Sequence, residues 1–510
     1  MTRTSLNRLL LALGSGVALA LAYSNFNLPI LAWVALALLL IAVTGAGWRM
    51  VALCGCLHSF AFVLISMSWI YTVMRVHGPI DPLSSAGVLA AIAAAWSVVY
   101  GAMLVLVAWI SRRSLGLACL AAPFLWVSVE FLRTHLPYIG FPWNLLGYTA
   151  ATNLGLMQSS AWTGIWGLSL LVAGYNAFLA WVVLRPRGER RRPAWILGIA
   201  TLGLLLIALV GPRIVPQATA RHEARLVQLN FPEVQSYPPD WNTIHAAEMN
   251  DLERLSESVH KGEDLVVWPE VPAPFALNDV EFAARIQRIA RTAQADFLVG
   301  VVNWQPTANA GVLPYNSAVL LDPAGQRVFV YDKIHLVPFG EYVPLRQWLT
   351  FASKLTAGIG DFAQGSAYKV GELSSGHTFG TYICFEAVFP DLVRRFAANG
   401  AQLFINISND GWFGGTAAPA QHLLMARVRA VENRRWLLRD TNSGITVSVD
   451  PYGRVVARLA PDIRGALDAP YDFRTDTTLY TRWGDWMAWL SVIAAAALVN
   501  TATLRRYNEY

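Results

Sequence analysis

The chain has 510 residues, 55% of them hydrophobic and only 14% charged, with a formal net charge of +6. Soluble domains carry about 25% charged residues, so a wholly soluble protein is excluded and the deficit belongs to membrane spans. The mean hydropathy of +0.41 agrees.

Apolar runs of about 20 residues, the length needed to cross a bilayer, occur at roughly 8–23, 28–47, 51–73, 86–110, 115–132, 160–184, 194–211 and 485–503. The first is short and contains Gly14 and Gly16, as a signal peptide would. Its direct continuation through "ALALAYSNFNLP" into the second run favours a retained helix. Lys and Arg in short loops orient spans toward the cytoplasm. With Arg3 and Arg8 inside, the inner loops hold Arg49, Arg112, Arg113 and the five arginines of "RPRGERRRP", with Arg505 and Arg506 at the end. Only Arg75 and Arg133 fall in short outer loops. The run at 185–192 suggests nucleic acid in isolation, but between two spans it is a topology signal.

Eight spans with both ends inside divide the chain into residues 1–211 (seven spans), a domain at 212–484 outside the cytoplasm, and 485–510 (the eighth span and a cytoplasmic tail). That domain has one cysteine, Cys384. It has no internal disulfide partner, and a lone thiol in an oxidising compartment is a liability that structural cysteines avoid. Cys54, Cys56 and Cys119 lie in spans and read as packing; Cys-x-Cys without further ligands is a weak metal signal.

Within the domain, "ARLVQLN" (224–230) predicts a strand, 241–259 a helix, "DLVVWPE" (264–270) a strand, 279–294 a helix and "DFLVGVVNW" (296–304) a strand. "NSAVLLD" and "RVFVYDK" flank "PAGQ" as a hairpin. A strand at "TFGTYICFE", a helix at 389–399, a strand at "QLFINIS", a helix at 417–434 and a hairpin around "PYG" complete an α/β layered domain.

Reactive side chains end three of these segments. Glu270 closes "VVWPE", Lys333 follows "VFVYD" with Glu341 eight residues on, and Cys384 follows "TYI" with Glu386 behind it. Strand ends are where α/β folds concentrate their sites. A carboxylate beside a thiol can act as its base, and a nearby ammonium favours the thiolate and the oxyanion formed by its attack on a carbonyl.

The segments "VVWPE", "YDKIHLVPFGEYVP", "YICFEAVFPDLVR" and "NISNDGWFG", in this order, resemble the carbon–nitrogen hydrolase (nitrilase) superfamily. The resemblance implies an α-β-β-α sandwich and a triad of Glu270 as general base, Lys333 as oxyanion and thiolate stabiliser and Cys384 as nucleophile. Phe385, through its N–H, Glu341 and Glu386 form the auxiliary set. Eight spans, with "FGEYVP", "ICFEAVFP", "NDGWFG" and the membrane segment "FPWNLLGY" (141–148), narrow the resemblance to the apolipoprotein N-acyltransferases of bacterial envelopes. Some of these have tyrosine where this chain has Phe385. The implied activity is ping-pong transfer of a phospholipid acyl chain, through a Cys384 thioester, to the N-terminal amine of a diacylglyceryl-cysteine apolipoprotein. The implied setting is the bacterial inner membrane, as a monomer without cofactor, metal or nucleic acid. The alternatives are a membrane-tethered amidase using water and a non-catalytic scaffold or transporter.

Other residues are candidates for smaller roles. Trp348, Leu349, Phe351 and Leu355 suit a lipid portal or plain packing. Trp412 and Phe413, between glycines in "GWFGG", suit a lid, and Trp241 a substrate mouth. Glu130 and Arg133 are either functional or a self-neutralising pair. His335 reads as structural, and Asn406, Asn409 and Asp410 as shaping a loop beside the site.

Overall fold

The computed structural model describes residues 3–23, 26–78, 80–136, 140–234, 237–259, 263–271, 273–307, 311–342 and 362–507. Trp348, Leu349, Phe351 and Leu355 lie outside them.

Among the described residues, seven helices are long and apolar enough to cross a membrane: Arg3–Leu21, Trp48–Ser66, Pro82–Ser111, Leu115–His135, Ser160–Leu184, Arg191–Ile214 and Trp486–Leu504. An eighth apolar helix, Pro29–Val43, is shorter. Its 15 residues rise about 22 Å, less than the roughly 30 Å hydrocarbon core. Several boundaries fall elsewhere than hydropathy places them. The third apolar run breaks at Met67, whose backbone leaves the helical region, and resumes as Trp69–Val76. The next helix starts at Pro82 because Asp81 caps it, accepting from Leu83 and Ser84 N–H groups.

Two six-stranded sheets form the α/β part. The first contains β1 (His222–Gln228), β2 (Glu263–Val267), β3 (Asp296–Thr307), β4 (Gly311–Leu321) and β5 (Arg327–Asp332). The second contains β6 (Val370–Glu372), β7 (Thr378–Ile383), β8 (Leu403–Ser408), β9 (Trp436–Thr441), β10 (Val447–Val449) and β11 (Val455–Arg458). A last strand, β12 (Gly465–Tyr471), returns to the first sheet and pairs antiparallel with β1. It was not expected from sequence. Pro470 and a weak apolar pattern disguise it, and an edge position tolerates both.

Strand alternation builds the layers. Leu265 and Val267 point into the core between the sheets, and Val266 and Trp268 point outward beneath the helices Ala246–Glu257 and Val280–Ala293. On the far side of the second sheet, Phe396 of helix Pro390–Ala398 packs on Tyr382 and Tyr331. The order is α-β-β-α. The inter-sheet core is continuous with the core of the membrane helices, through Phe385 and Val388 to Trp143 and Trp166.

Topology then places the site. β1 and β2, β2 and β3, and β7, β8 and β9 pair in parallel. β5 is reversed twice relative to β3, so its C-terminal end falls on the same edge as theirs. The residues after β2, β5, β7 and β8 meet there.

Candidate active site

Glu270 follows β2, and its backbone crosses β3 where that strand carries Gly300. A Cβ at Gly300 would lie 2.8 Å from Glu270 Cα and closer still to the Pro269 carbonyl. Glu270 is 6% exposed. Its Oε1 accepts from Lys333 Nζ at 2.8 Å and from Asn316 Nδ2 at 2.7 Å, and its Oε2 accepts from the Asn409 N–H at 2.9 Å.

Lys333 is 1% exposed. Besides Glu270 it donates to Glu341 Oε1 at 2.9 Å, and Asn316 Nδ2 donates to that same oxygen at 2.8 Å. The Val337 N–H holds the other Glu341 oxygen at 2.8 Å. Burial opposes charge on Lys333, yet the Glu270 and Glu341 carboxylates and the adjacent Cys384 outweigh it and raise its pKa.

Cys384 opens a short 3-10 turn, Cys384–Val388, straight after β7. The sequence expectation of a strand through Glu386 is corrected here: the chain turns at Cys384, which takes a left-handed φ of +47°. That conformation costs a non-glycine residue about 1–2 kcal/mol. The thiol is 7% exposed. Burial and then the Glu270 charge push its pKa up, against the downward pull of Lys333 and a hydrogen bond with Ser408. The site therefore holds a thiol beside an ammonium.

Glu386 joins two strand ends. Its Oε1 accepts from Tyr331 Oη at 2.8 Å and from the Ile334 and His335 N–H groups at 2.7 and 3.0 Å. Its Oε2 accepts from the Ile383 N–H at 2.7 Å. The segments bearing Lys333 and Cys384 are thus tied through one buried side chain. His335 stacks on Phe389, and burial pushes its imidazole down to about 4.

Beneath Cys384 lies a network in which the sequence singled out Asp410 and Asn406 and missed His422 and Arg439. Asp410 accepts from Arg439 Nη2 at 2.8 and 3.0 Å and from Ser408 Oγ at 2.9 Å. Burial works against its charge, but the Arg439 guanidinium outweighs it and holds the carboxyl well below the usual range. Asn406 donates to the Tyr382 carbonyl at 2.9 Å and accepts from Arg439. The signal available was compositional: His422, Arg429 and Glu432 interrupt the apolar face of one helix, and Asn316 and Arg439 lie in the middle of strands. Cys384, Asp410 and His422 offer ligand atoms within 4.8 Å of one another. The Arg439 guanidinium occupies the position a cation would need, so these residues do not fit a metal.

The membrane helices reach the neighbourhood of Cys384 through aromatic rings. Phe141 stacks on Phe385 at 5.7 Å, and Trp69 meets Phe413 edge-on at 5.2 Å. Trp143 packs on both Trp69 and Phe413, at 4.9 and 5.9 Å. Trp412, 40% exposed, meets His77 at 5.2 Å. Glu130 and Arg133 brace this loop. Glu130 Oε1 accepts from the Leu146 N–H at 2.6 Å and Trp126 Nε1 at 3.2 Å, and Arg133 Nη2 donates to the Trp143 carbonyl at 2.9 Å. Trp241 is buried between Phe231, His245 and Phe275 in the smaller core. Its ring is core packing rather than a substrate mouth.

The sandwich thus brings, at its strand ends, a buried thiol beside a lysine held by two glutamates, and it is joined to apolar helices, as the resemblance to the nitrilase superfamily implies. Comparison with known proteins agrees: the carbon-nitrogen hydrolase family matches residues 223–475 and the apolipoprotein N-acyltransferase N-terminal domain residues 15–178. The apolipoprotein N-acyltransferase of Geobacter metallireducens is 35% identical over 98% of this chain and 95% of its own length. Those of Methylococcus capsulatus (33%, covering 94% and 93%) and Azotobacter vinelandii (34%, covering 98% and 95%) are similar. The chain belongs to the apolipoprotein N-acyltransferase family.

Proposed function

We propose that this protein N-acylates apolipoproteins in a bacterial membrane, taking an acyl chain from a phospholipid and passing it through a Cys384 thioester. The observation that carries the reading is the clamp of Lys333 between Glu270 and Glu341 beside a thiol on a strained turn, in a chain whose full-length relatives bear that name.

Charge balance supports the roles. With a neutral thiol, the ammonium and two carboxylates sum to −1. Ionising the thiol into solvent would leave −2 in a buried site. Passing its proton to Glu270 keeps the sum at −1, so Glu270 acts as base as the S–C bond forms. Lys333 and the Phe385 N–H stabilise the oxyanion. The proton then leaves on the departing lysophospholipid oxygen as the C–O bond breaks. In the second half, the α-amine of a diacylglyceryl-cysteine attacks the thioester. Glu270 takes the amine proton and Cys384 departs, to be reprotonated. The aromatic seam from Trp69 and Phe141 to Phe385 supports a lipid donor, since apolar side chains run without a break from the membrane helices to the residue beside the nucleophile.

The reading includes a domain arrangement of 1–211, 212–484 and 485–510, a catalytic part facing the periplasm, and a monomer. Trp412 and Phe413 form the lid over the seam, with Glu341 and Glu386 as positioning groups.

The test is intact mass of the detergent-purified protein incubated with phospholipid and no acceptor. The expected result is a hydroxylamine-labile acyl adduct on Cys384, discharged by a diacylglyceryl-cysteine peptide and persistent in water. Cys384→Ala abolishes it, while alanine at Cys54, Cys56 and Cys119 leaves it intact. An adduct cleared equally fast by water would make the protein a hydrolase.

A further inference from the structure

His422 lies in helix Ala418–Asn433, fully buried, and has no part in the proton transfers above. Its Nε2 lies 3.0 Å from the Cys384 carbonyl oxygen. Its Nδ1 lies 3.1 Å from both Arg439 Nη2 and Asp410 Oδ1. Cys384 is the residue whose backbone is left-handed, and its carbonyl is the group that must be held for that conformation to persist.

The protonation of the ring follows from its partners. Arg439 only donates and a carbonyl only accepts. A neutral ring with its hydrogen on Nδ1 would set a lone pair against the Cys384 carbonyl and an N–H against the guanidinium. With the hydrogen on Nε2 both of these contacts are satisfied, and Arg439 Nη2, donating to Nδ1 and to Asp410 Oδ1, bridges the two acceptors that face each other there. An imidazolium also donates from Nε2. Burial and the Arg439 charge hold the ring neutral, and Arg439 is itself fixed by Asp410, Ser408 and Asn406.

We propose that His422 is a positioning residue for the nucleophile: its Nε2–H holds the Cys384 carbonyl, fixing the left-handed turn from which the thiol projects, while Arg439, itself held by Asp410, keeps the imidazole in the tautomer that can donate. The same helix carries the adjacent Gln421, whose Oε1 accepts from Trp143 Nε1 at 2.6 Å. One helical turn therefore grips the nucleophile's backbone and the membrane loop together. A displacement of that loop would reach Cys384 through His422 without passing through Glu270 or Lys333. This inference rests on Cys384 being the nucleophile.

The test uses full-length protein in detergent and two substitutions that divide the ring's functions. His422→Asn keeps a polar group near Nδ1 and removes the donor to Cys384. His422→Gln carries its amide to the position of Nε2 and restores that donor. Single-turnover acyl loading is measured against phospholipid concentration, alongside thermal unfolding. Misplacing a reacting group by about 1 Å costs on the order of 10²-fold in rate. His422→Asn is therefore expected to lose about 10²-fold in maximal loading rate at unchanged half-saturating phospholipid. His422→Gln recovers to within about tenfold of wild type, the scale of one imperfect neutral hydrogen bond.

Equal loss in both variants at native melting temperatures would overturn the proposal, as would a change confined to half-saturation. If His422→Asn does not fold, the Gln variant decides alone: folded protein with loading lost by 10²-fold or more refutes the positioning role. Failure of wild-type protein to load acyl chains on Cys384 would instead refute the nucleophile assignment itself.

Discussion

Lys333 meets two carboxylate oxygens within 2.9 Å while almost wholly buried, so its charge is compensated rather than solvated. The third member of the site bears the cost: Cys384 is held as a thiol by burial and by the Glu270 charge. A counterintuitive prediction follows for Glu270→Gln. Removing that negative charge leaves Lys333 to stabilise the thiolate, so the thiol pKa falls and alkylation by iodoacetamide sets in at lower pH than in wild type. Acyl loading nevertheless drops by about 10²–10⁴-fold, because the proton acceptor is gone. Alkylation that moves to higher pH would show that Glu270 does not face the thiol. Asn316, which donates to both glutamates, belongs to the same unit, although an asparagine in a strand announces nothing by itself.

At the scale of elements, the site depends on where chains pass one another. Gly300 is a small residue in the middle of β3, and the backbone of Glu270 lies against it. Gly300→Ala would drive a methyl group into backbone atoms that cannot rotate away. The expected outcome is a folded protein whose loading rate falls about 10²-fold through displacement of Glu270, read by single-turnover kinetics with melting as the control. Helix Ser160–Leu184 shows the same dependence on a neighbour. Gly164 is left-handed at φ +63°, and the following Ile165 N–H is taken by Glu432 Oε1 at 2.8 Å. Hydropathy sees one uninterrupted apolar run there. The left-handed kink is legible only once helix Ala418–Asn433 lies alongside.

At the scale of the whole molecule, the helices and the sandwich share one core instead of meeting as two closed surfaces. Trp143 is at the seam, buried and packed on Phe141, Trp69 and Phe413. Trp143→Ala is therefore expected to destabilise the protein by about 3–5 kcal/mol, the cost of emptying a large aromatic site. Differential scanning fluorimetry in detergent should show a single lowered transition. Two separated transitions would mean that the helices and the sandwich unfold independently.

The sequence by itself determined the features that depend on local pattern. Apolar runs of span length and alternating strands set the elements and put Glu270, Lys333 and Cys384 at strand ends, because hydropathy and turn chemistry act over a few residues; the resemblance of the motifs around them singled these three out. Tertiary structure alone decided the break at Met67, the strand β12, the left-handed turn at Cys384, the burial of Trp241 and the Asp410–His422–Arg439 network. Each of these is set by a partner far away in the chain: a backbone passing within van der Waals distance, an edge strand seeking hydrogen bonds, or a buried charge that must find its counter-charge. Such forces leave no periodicity in the sequence, only an isolated polar residue where an apolar one was due.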